Sequence, residues 1–305
     1  MTRAEAGRRL MLVHAHPDDE TISNGATMAK YVHEGAHVTL VTCTLGEEGE
    51  VLVPDLAHLA SDRDDTLGTQ RISECKQAMA ELGVTDYRFL GGAGRFRDTG
   101  MAWNDNGQAI PPADVRPDTF WAADLREASD ELVAIIREVR PHVLVTYDEM
   151  GGYGHPDHIQ AHRVATYGSA LAAVPSYRPD LGVAWDVPKI YWTAMPRSVI
   201  EAGIVAMREI GSDFFGLDNA DETPFAVPDE FITAKIDGMD HVEQKLAAMR
   251  AYVTQIAVDG PFFKLPDQLG PQVWGLEFYR LVKGERGPVD SETEWETDLF
   301  AGLDV

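Results

Sequence analysis

Leu10-Met11-Leu12-Val13-His14-Ala15-His16-Pro17-Asp18-Asp19-Glu20 is the stretch that decides the fold. A short apolar run passes directly into two imidazoles, a proline and three carboxylates. The apolar residues predict a buried first strand, stopped by Pro17, and Thr21–Glu34 predicts the helix that follows. The same order recurs downstream. His37–Thr42 (HVTLVT) is β-branched and apolar, a second strand. Thr69–Leu82 places Ile72, Cys75, Met79 and Leu82 at helical spacing. Tyr87–Leu90 predicts a third strand, stopped by Gly91-Gly92, and Phe120–Val139 a long amphipathic helix ended by Arg140-Pro141. His142–Tyr147 (HVLVTY) predicts a fourth strand, Pro156–Ala173 a helix, and Lys189–Thr193 a fifth strand. Strand and helix in alternation make parallel βαβ units with right-handed crossovers. The expected fold is α/β, a Rossmann-like three-layer sandwich with a mostly parallel sheet.

Beyond about residue 195 the rhythm loosens. Arg197–Ile210 and Asp240–Ile256 predict helices, whereas 211–236 and 257–275 are rich in proline, glycine and acidic residues. With no internal repeat or low-complexity linker, the 305 residues are expected to form one domain. Its core runs over about 8–195, and 196–305 is a C-terminal elaboration. The loops 44–68 and 91–118 are long for a compact domain, as functional loops often are.

The formal net charge is −24, which argues against nucleic acid or an anionic membrane surface as partner. Cys43 and Cys75 are the only cysteines, too few for a disulfide framework or a thiolate zinc site, and a reduced cytoplasmic setting is expected. No apolar run reaches the roughly 18 residues of a membrane span. Arg8-Arg9 invite a signal-peptide reading, but the apolar run after them is shorter than the roughly 7–15 residues of a signal core.

In open α/β sheets, ligands bind beyond the carboxyl ends of the strands. The cluster His14–Glu20 lies there, after the first strand. Pro17 turns the chain, and the adjacent Asp18 and Asp19 then point in different directions, so one can hold a metal while the other faces a reacting water. Gly151-Gly152-Tyr153-Gly154-His155-Pro156-Asp157-His158 repeats the pattern after the fourth strand. Pro156 suits the first turn of a helix, which puts His158 within that turn. His155 and Asp157 are placed for acid–base work and its orientation. His162 shares a face with His158 but is read as structural, as are His33, His37, His58, His142 and His241. Gly91-Gly92-Ala93-Gly94 lacks the lysine of a phosphate loop and is read as a tight turn.

The two His-Pro-Asp segments together resemble the zinc-dependent N-acetylglucosaminyl deacetylases of the LmbE-like superfamily. Val41–Glu50, Leu90–Arg95, Thr146–Asp148 and the tail Trp295–Leu303 narrow the resemblance to the deacetylases of mycothiol biosynthesis, which act on N-acetylglucosaminyl-inositol. Residues 174–290 match weakly. The resemblance implies metal ligands at His16, Asp19 and His158 and a general base at Asp18. It implies that His155, as an imidazolium, stabilises the oxyanion or protonates the leaving amine, that Asp157 orients His155, and that Tyr153 sits near the scissile carbonyl. It places Glu50, Arg71 and Asp98 on the sugar or inositol hydroxyls. One divalent metal per subunit is implied, zinc with iron(II) as the alternative, and a small amino-sugar inositol as substrate. No nucleic-acid or membrane partner is implied, and a homo-oligomer is compatible.

The residues themselves agree with this chemistry. Two imidazoles and one carboxylate leave a coordination position open, as catalytic zinc sites do. Mycothiol S-conjugate amidases are a rival of the same class, but their expected lysine after the first acidic cluster is absent, since Thr21-Ile22-Ser23-Asn24 stands there. Another LmbE-like sugar deacetylase is a second rival, and a membrane-anchored deacetylase would need a span or basic anchor. An iron(II) oxygenase uses the same ligand set but usually in a β-barrel. A non-catalytic metal module would not need Asp18 and His155.

Overall fold

The structure, a computed structural model, describes residues 7–105, 108–209, 211, 219–220, 223 and 225–305. The elements follow in chain order. They are β1 (Arg9–His14), α1 (Asp19–His33), β2 (His37–Thr42), α2 (Leu67–Leu82), β3 (Asp86–Phe89) and the small strands β4 (Ala102–Trp103) and β5 (Ala109–Ile110). Then come α3 (Leu125–Val139), β6 (Val143–Thr146), α4 (Pro156–Ala172), β7 (Lys189–Pro196), α5 (Arg197–Glu209), β8 (Ala226–Val227) and β9 (Ala234–Asp237). The chain ends with α6 (Val242–Ala251), α7 (Pro261–Leu269), α8 (Gln272–Gly275) and β10 (Leu276–Lys283). The expected helix over 197–210 is α5; Ile210 and, within the 211–236 stretch, residues 212–218, 221–222 and 224 lie outside the described residues.

The main sheet has the order β3-β2-β1-β6-β7-β10-β9, with β8 beside β7. The expected parallel strands pair in register, Leu10 with Val38 on one side and Val143 on the other, and Val143 with Lys189. β1 is apolar at every position from Leu10 to Val13 because it is buried on both faces, as parallel strands usually are. Leu10 and Leu12 pack with Val38, Leu40, Met28 and Tyr31 of α1, Met79 of α2 and Met249 of α6. Met11 and Val13 face the other way, into Leu132 and Ile136 of α3 and Val164 of α4. Helices therefore cover both faces, the three-layer arrangement.

The chain runs outward from β1 through β2 to β3, then returns to the other side of β1 for β6 and β7. The carboxyl ends of β1 and β6 thus form the switch point where such sheets open a crevice. Both His-Pro-Asp segments emerge there.

The long helix before β6 starts at Leu125 rather than Phe120, because Asp124 caps it by accepting the amides of Arg126 and Glu127. The helix expected over 240–256 is shorter, Val242–Ala251. The larger departure is at the C-terminus. β10 runs antiparallel to both β7 and β9, so the elaboration extends the same sheet. Its Glu277 is buried and paired with Lys245 of α6 at 2.7 Å, a tertiary contact that interrupts the apolar pattern of the strand. Among the described residues no helix is long and apolar enough to cross a membrane.

Candidate active site

Asp18 occupies the N-cap position of α1, but its side chain makes no capping bond. Its backbone is at φ 124°, ψ −36°, a region that non-glycine residues rarely adopt and that costs on the order of 1–3 kcal/mol. The side chain instead meets Arg71 of α2, whose Nη2 donates to Asp18 Oδ2 at 2.9 Å. Arg71 also donates to the carbonyls of Gly46, at 2.9 Å, and Pro17. Burial pushes the Asp18 carboxyl up to about 7, with Arg71 acting in the opposite direction. The backbone amide of Asp18 donates to Glu20 Oε2 at 3.1 Å.

Asp19 lies between two imidazoles. Its Oδ2 is 3.3 Å from His16 Nδ1 and its Oδ1 is 3.4 Å from His158 Nε2. Oδ2 also accepts the His16 amide at 2.9 Å and the Tyr147 hydroxyl at 2.7 Å. Burial works to raise Asp19, but the two imidazoles prevail and hold it well below the ordinary carboxylate range.

His158 sits in the first turn of α4. Its Nδ1 is 3.2 Å from the carbonyl of Gly151, and its Nε2 is buried without a hydrogen-bond partner. A proton on Nδ1 leaves a bare lone pair on Nε2 beside Asp19. Gly151 is required here, since at φ +63° a Cβ would stand 2.6 Å from the Cβ of His158. His16 is disposed in the same manner. Its Nδ1 faces Asp19, while Nε2 lies 3.3 Å from Asp157 Oδ2 and 3.4 Å from Asp98 Oδ1. Metal-bound histidines commonly donate their other nitrogen to a carbonyl or carboxylate, which is the arrangement at both residues.

Among the described residues, donors of His16, His155 and His158 lie within 4.8 Å of one another, and so do those of His16, Asp98 and Asp157. This cluster is able to hold a divalent cation: a buried lone pair on His158 needs an acceptor of electron density, and Asp18, Asp19, Asp98 and Asp157 crowd negative charge around it. His155 is the weaker candidate for a ligand. Its Nδ1 accepts the backbone amide of Asp157 at 3.1 Å, which puts the proton of the neutral ring on Nε2. Burial, with His16 and His158 alongside, lowers His155 to about 2, which disfavours the imidazolium expected from the sequence.

Asp157 departs from expectation as well. It touches His155 through its backbone amide, while its carboxylate accepts from the amide of Thr99 at 2.8 Å and from the Thr99 hydroxyl, and faces His16. Tyr153 stands beside two of the imidazoles, its ring centroid 5.1 Å from that of His158 and 6.1 Å from that of His155. Burial raises its phenol, which stays protonated.

The three residues assigned to substrate hydroxyls are engaged in different ways. Arg71 is 2% exposed and engaged with Asp18. Asp98 is 3% exposed, faces His16 and accepts the amides of Glu48, at 3.0 Å, and Gly100, at 2.9 Å. Neither belongs to a solvated surface pair. Glu50 is exposed and is tied to the rest of the chain by its carbonyl, which accepts from Gln255 at 3.2 Å. His162 stays outside the cluster, with Nδ1 on the Tyr147 carbonyl.

Sequence reasoning missed Tyr147 as a site residue. Its hydroxyl binds Asp19, and its ring stacks on His158 at 4.3 Å. The available signal was its place one residue beyond β6. It also missed Glu47 and Glu48, which join the two long loops: Glu47 accepts the Asp98 amide at 2.9 Å, and Glu48 pairs with Arg97 at 2.6 Å.

A parallel-sheet sandwich with a buried His/Asp cluster at its switch point defines the class of protein, and comparison with known proteins identifies the family. The family described as PIG-L, GlcNAc-PI de-N-acetylase, matches residues 11–167, and the chain belongs to it. The chain is 62% identical over 299 residues to a 1D-myo-inositol 2-acetamido-2-deoxy-alpha-D-glucopyranoside deacetylase of Nocardioides sp., covering 97% of this chain and 99% of the relative. A protein of the same name from Kribbella flavida is 61% identical, covering 97% and 98%. Among solved structures, N,N'-diacetylchitobiose deacetylase from Pyrococcus horikoshii superposes with a TM-score of 0.58 at 19% identity, covering 92% of this chain and 85% of that one. A 4-carboxy-2-hydroxymuconate hydratase from Pseudomonas putida reaches 0.60 at 15% identity, covering 93% and 100%, so this fold also carries other chemistry.

Proposed function

We propose that the chain hydrolyses the N-acetyl group of N-acetylglucosaminyl-inositol, giving glucosaminyl-inositol and acetate in mycothiol biosynthesis. The observation that carries the reading is the unpartnered Nε2 of His158 directed at Asp19, with Asp18 on the adjoining residue. The names of relatives matching nearly the full chain supply the substrate. His16 through Nδ1, Asp19, and His158 through Nε2 would hold the cation, which we assign as zinc on the nitrogen and oxygen donors of the set. A cation there polarises the acetyl carbonyl and lowers the pKa of water.

The protein groups divide the remaining work. Asp18 takes a proton from the attacking water, help worth roughly 10²–10⁴-fold. His155 stays neutral and points its Nε2–H at the developing oxyanion, and the Tyr153 hydroxyl is a second donor; one such donor is worth about 10²–10³-fold. The C–N bond then breaks, and the amine needs a proton. His155 would have to give up its only ring proton, whereas Asp18 has just gained one. Asp18 therefore serves as base and then as acid. Tyr147 fixes the orientation of Asp19 and His158. The extension of the main sheet by β9 and β10 supports a single-domain organisation.

The test is direct assay of acetate release from N-acetylglucosaminyl-inositol by purified, metal-loaded protein, in parallel with a mycothiol S-conjugate. Cleavage of the conjugate alone would replace the deacetylase reading with the amidase.

A further inference from the structure

We propose that Glu20 and Tyr252 are positioning residues for Asp18, so that the C-terminal portion supplies part of the catalytic machinery; the inference rests on Asp18 being the general base. The backbone of Asp18 is held at positive φ without a glycine, a conformation that persists only where its surroundings enforce it. One enforcing contact is the bond from its amide to Glu20 Oε2 at 3.1 Å. The other oxygen of Glu20 accepts the Tyr252 hydroxyl at 2.6 Å. Glu20 and Tyr252 are both 0% exposed, so bulk solvent does not compete for these bonds in the folded protein.

Tyr252 begins a strap that follows α6 and lies against the catalytic loops. Two residues on, the Thr254 hydroxyl donates to Glu74 of α2 at 2.7 Å, and the Thr254 carbonyl accepts the Leu52 amide at 3.0 Å. Asp18 is thus gripped from α1 by Glu20 and from α2 by Arg71, and both helices are tied to the same strap. Among the described residues no hydrogen bond joins Glu20 or Tyr252 to His16, His155 or His158. Their loss should misdirect Asp18 while leaving cation binding and substrate binding in place.

The experiment compares Tyr252→Phe, Glu20→Ala and Glu20→Gln in the full-length, metal-loaded protein. A displacement of a reacting group by about 1 Å can cost on the order of 10²-fold. Tyr252→Phe should therefore lower kcat roughly 5- to 50-fold and Glu20→Ala at least as much, with KM, metal content and Tm close to wild type. Glu20→Gln should recover most of kcat, because its amide oxygen still accepts from Asp18 and its NH2 can donate to Tyr252. Hydrogen exchange of the peptide containing Asp18 should be faster in Tyr252→Phe and Glu20→Ala and near wild type in Glu20→Gln. Unchanged kcat and exchange in the first two variants would overturn the proposal. So would a rise in KM and a fall in metal content and Tm in step with the loss of kcat, the behaviour of a merely structural contact. If the wild-type protein released no acetate, the deacetylase reading would fail on its own, and the exchange data alone would decide whether Glu20 and Tyr252 hold Asp18.

Discussion

Arg71 Nη2 donates to Asp18 Oδ2 at 2.9 Å, and the Arg71 side chain is only 3% exposed against 16% for Asp18. The guanidinium comes from α2, 53 residues along the chain from Asp18, yet it opposes the effect of burial on the proposed general base. Arg71 was expected on a substrate hydroxyl; its contacts make it a partner of Asp18, the proposed general base.

A pH consequence follows from that pair. Burial raises Asp18 to about 7, and Arg71 lowers it from where burial alone would put it. Asp18 must be ionised to act, so kcat/KM falls as pH drops through its pKa. A bound cation adds positive charge nearby, and the acid limb of the loaded enzyme should lie below about 7. Arg71→Met removes a positive charge and should move that limb to higher pH. Full pH–rate profiles of the two proteins check this, and a limb that stays in place or moves down would show that Arg71 does not act on Asp18.

Ligand and base should separate on mutation. His158→Ala should lose metal and activity together, because a ligand nitrogen is gone. Asp18→Ala should keep its metal and lose about 10²–10⁴-fold in kcat. Metal content by atomic emission alongside turnover distinguishes them. Loss of metal in Asp18→Ala would mean that the two aspartates exchange roles.

For His155 the structure changes the expectation. The Asp157 amide occupies its Nδ1, and burial disfavours its cation. His155→Ala should lower kcat about 10²–10³-fold by removing a donor to the oxyanion. The shape of the pH profile should survive. A basic limb present in the wild-type profile and absent in His155→Ala would restore the imidazolium as the acid.

Asp98 gives a similar choice. Its carboxylate faces His16 and accepts two backbone amides, so Asp98→Ala should weaken metal binding and slow N-acetylglucosaminyl-inositol and N-acetylglucosamine alike. A lost charged hydrogen bond of roughly 1.5–3 kcal/mol corresponds to about 10- to 150-fold in kcat/KM. A loss confined to the inositol substrate would return Asp98 to the role of gripping inositol.

The core strands and the two His-Pro-Asp segments were legible because local chemistry alone specifies them. Leu10–Val13 and Val143–Thr146 are apolar at every or nearly every position, as doubly covered strands must be, and proline marks where His16 and His158 leave the sheet. β10 was not legible, because Glu277 reads as a solvent residue until Lys245 is seen beside it. The contacts of Arg71, Asp157 and Tyr147 were hidden for the same reason. Each depends on which loop the fold places opposite, Pro17 and Gly46 for Arg71, Thr99 for Asp157 and Asp19 for Tyr147. Spacing identifies the residues that emerge at the switch point, and tertiary packing decides which atom of each meets its neighbours.

The central claim is tested most directly by mass spectrometry of purified, zinc-loaded protein incubated with N-acetylglucosaminyl-inositol. The account predicts acetate and glucosaminyl-inositol in equal amounts, abolished by a chelator and restored by added metal. Intact substrate after prolonged incubation with metal-replete, folded protein would contradict it.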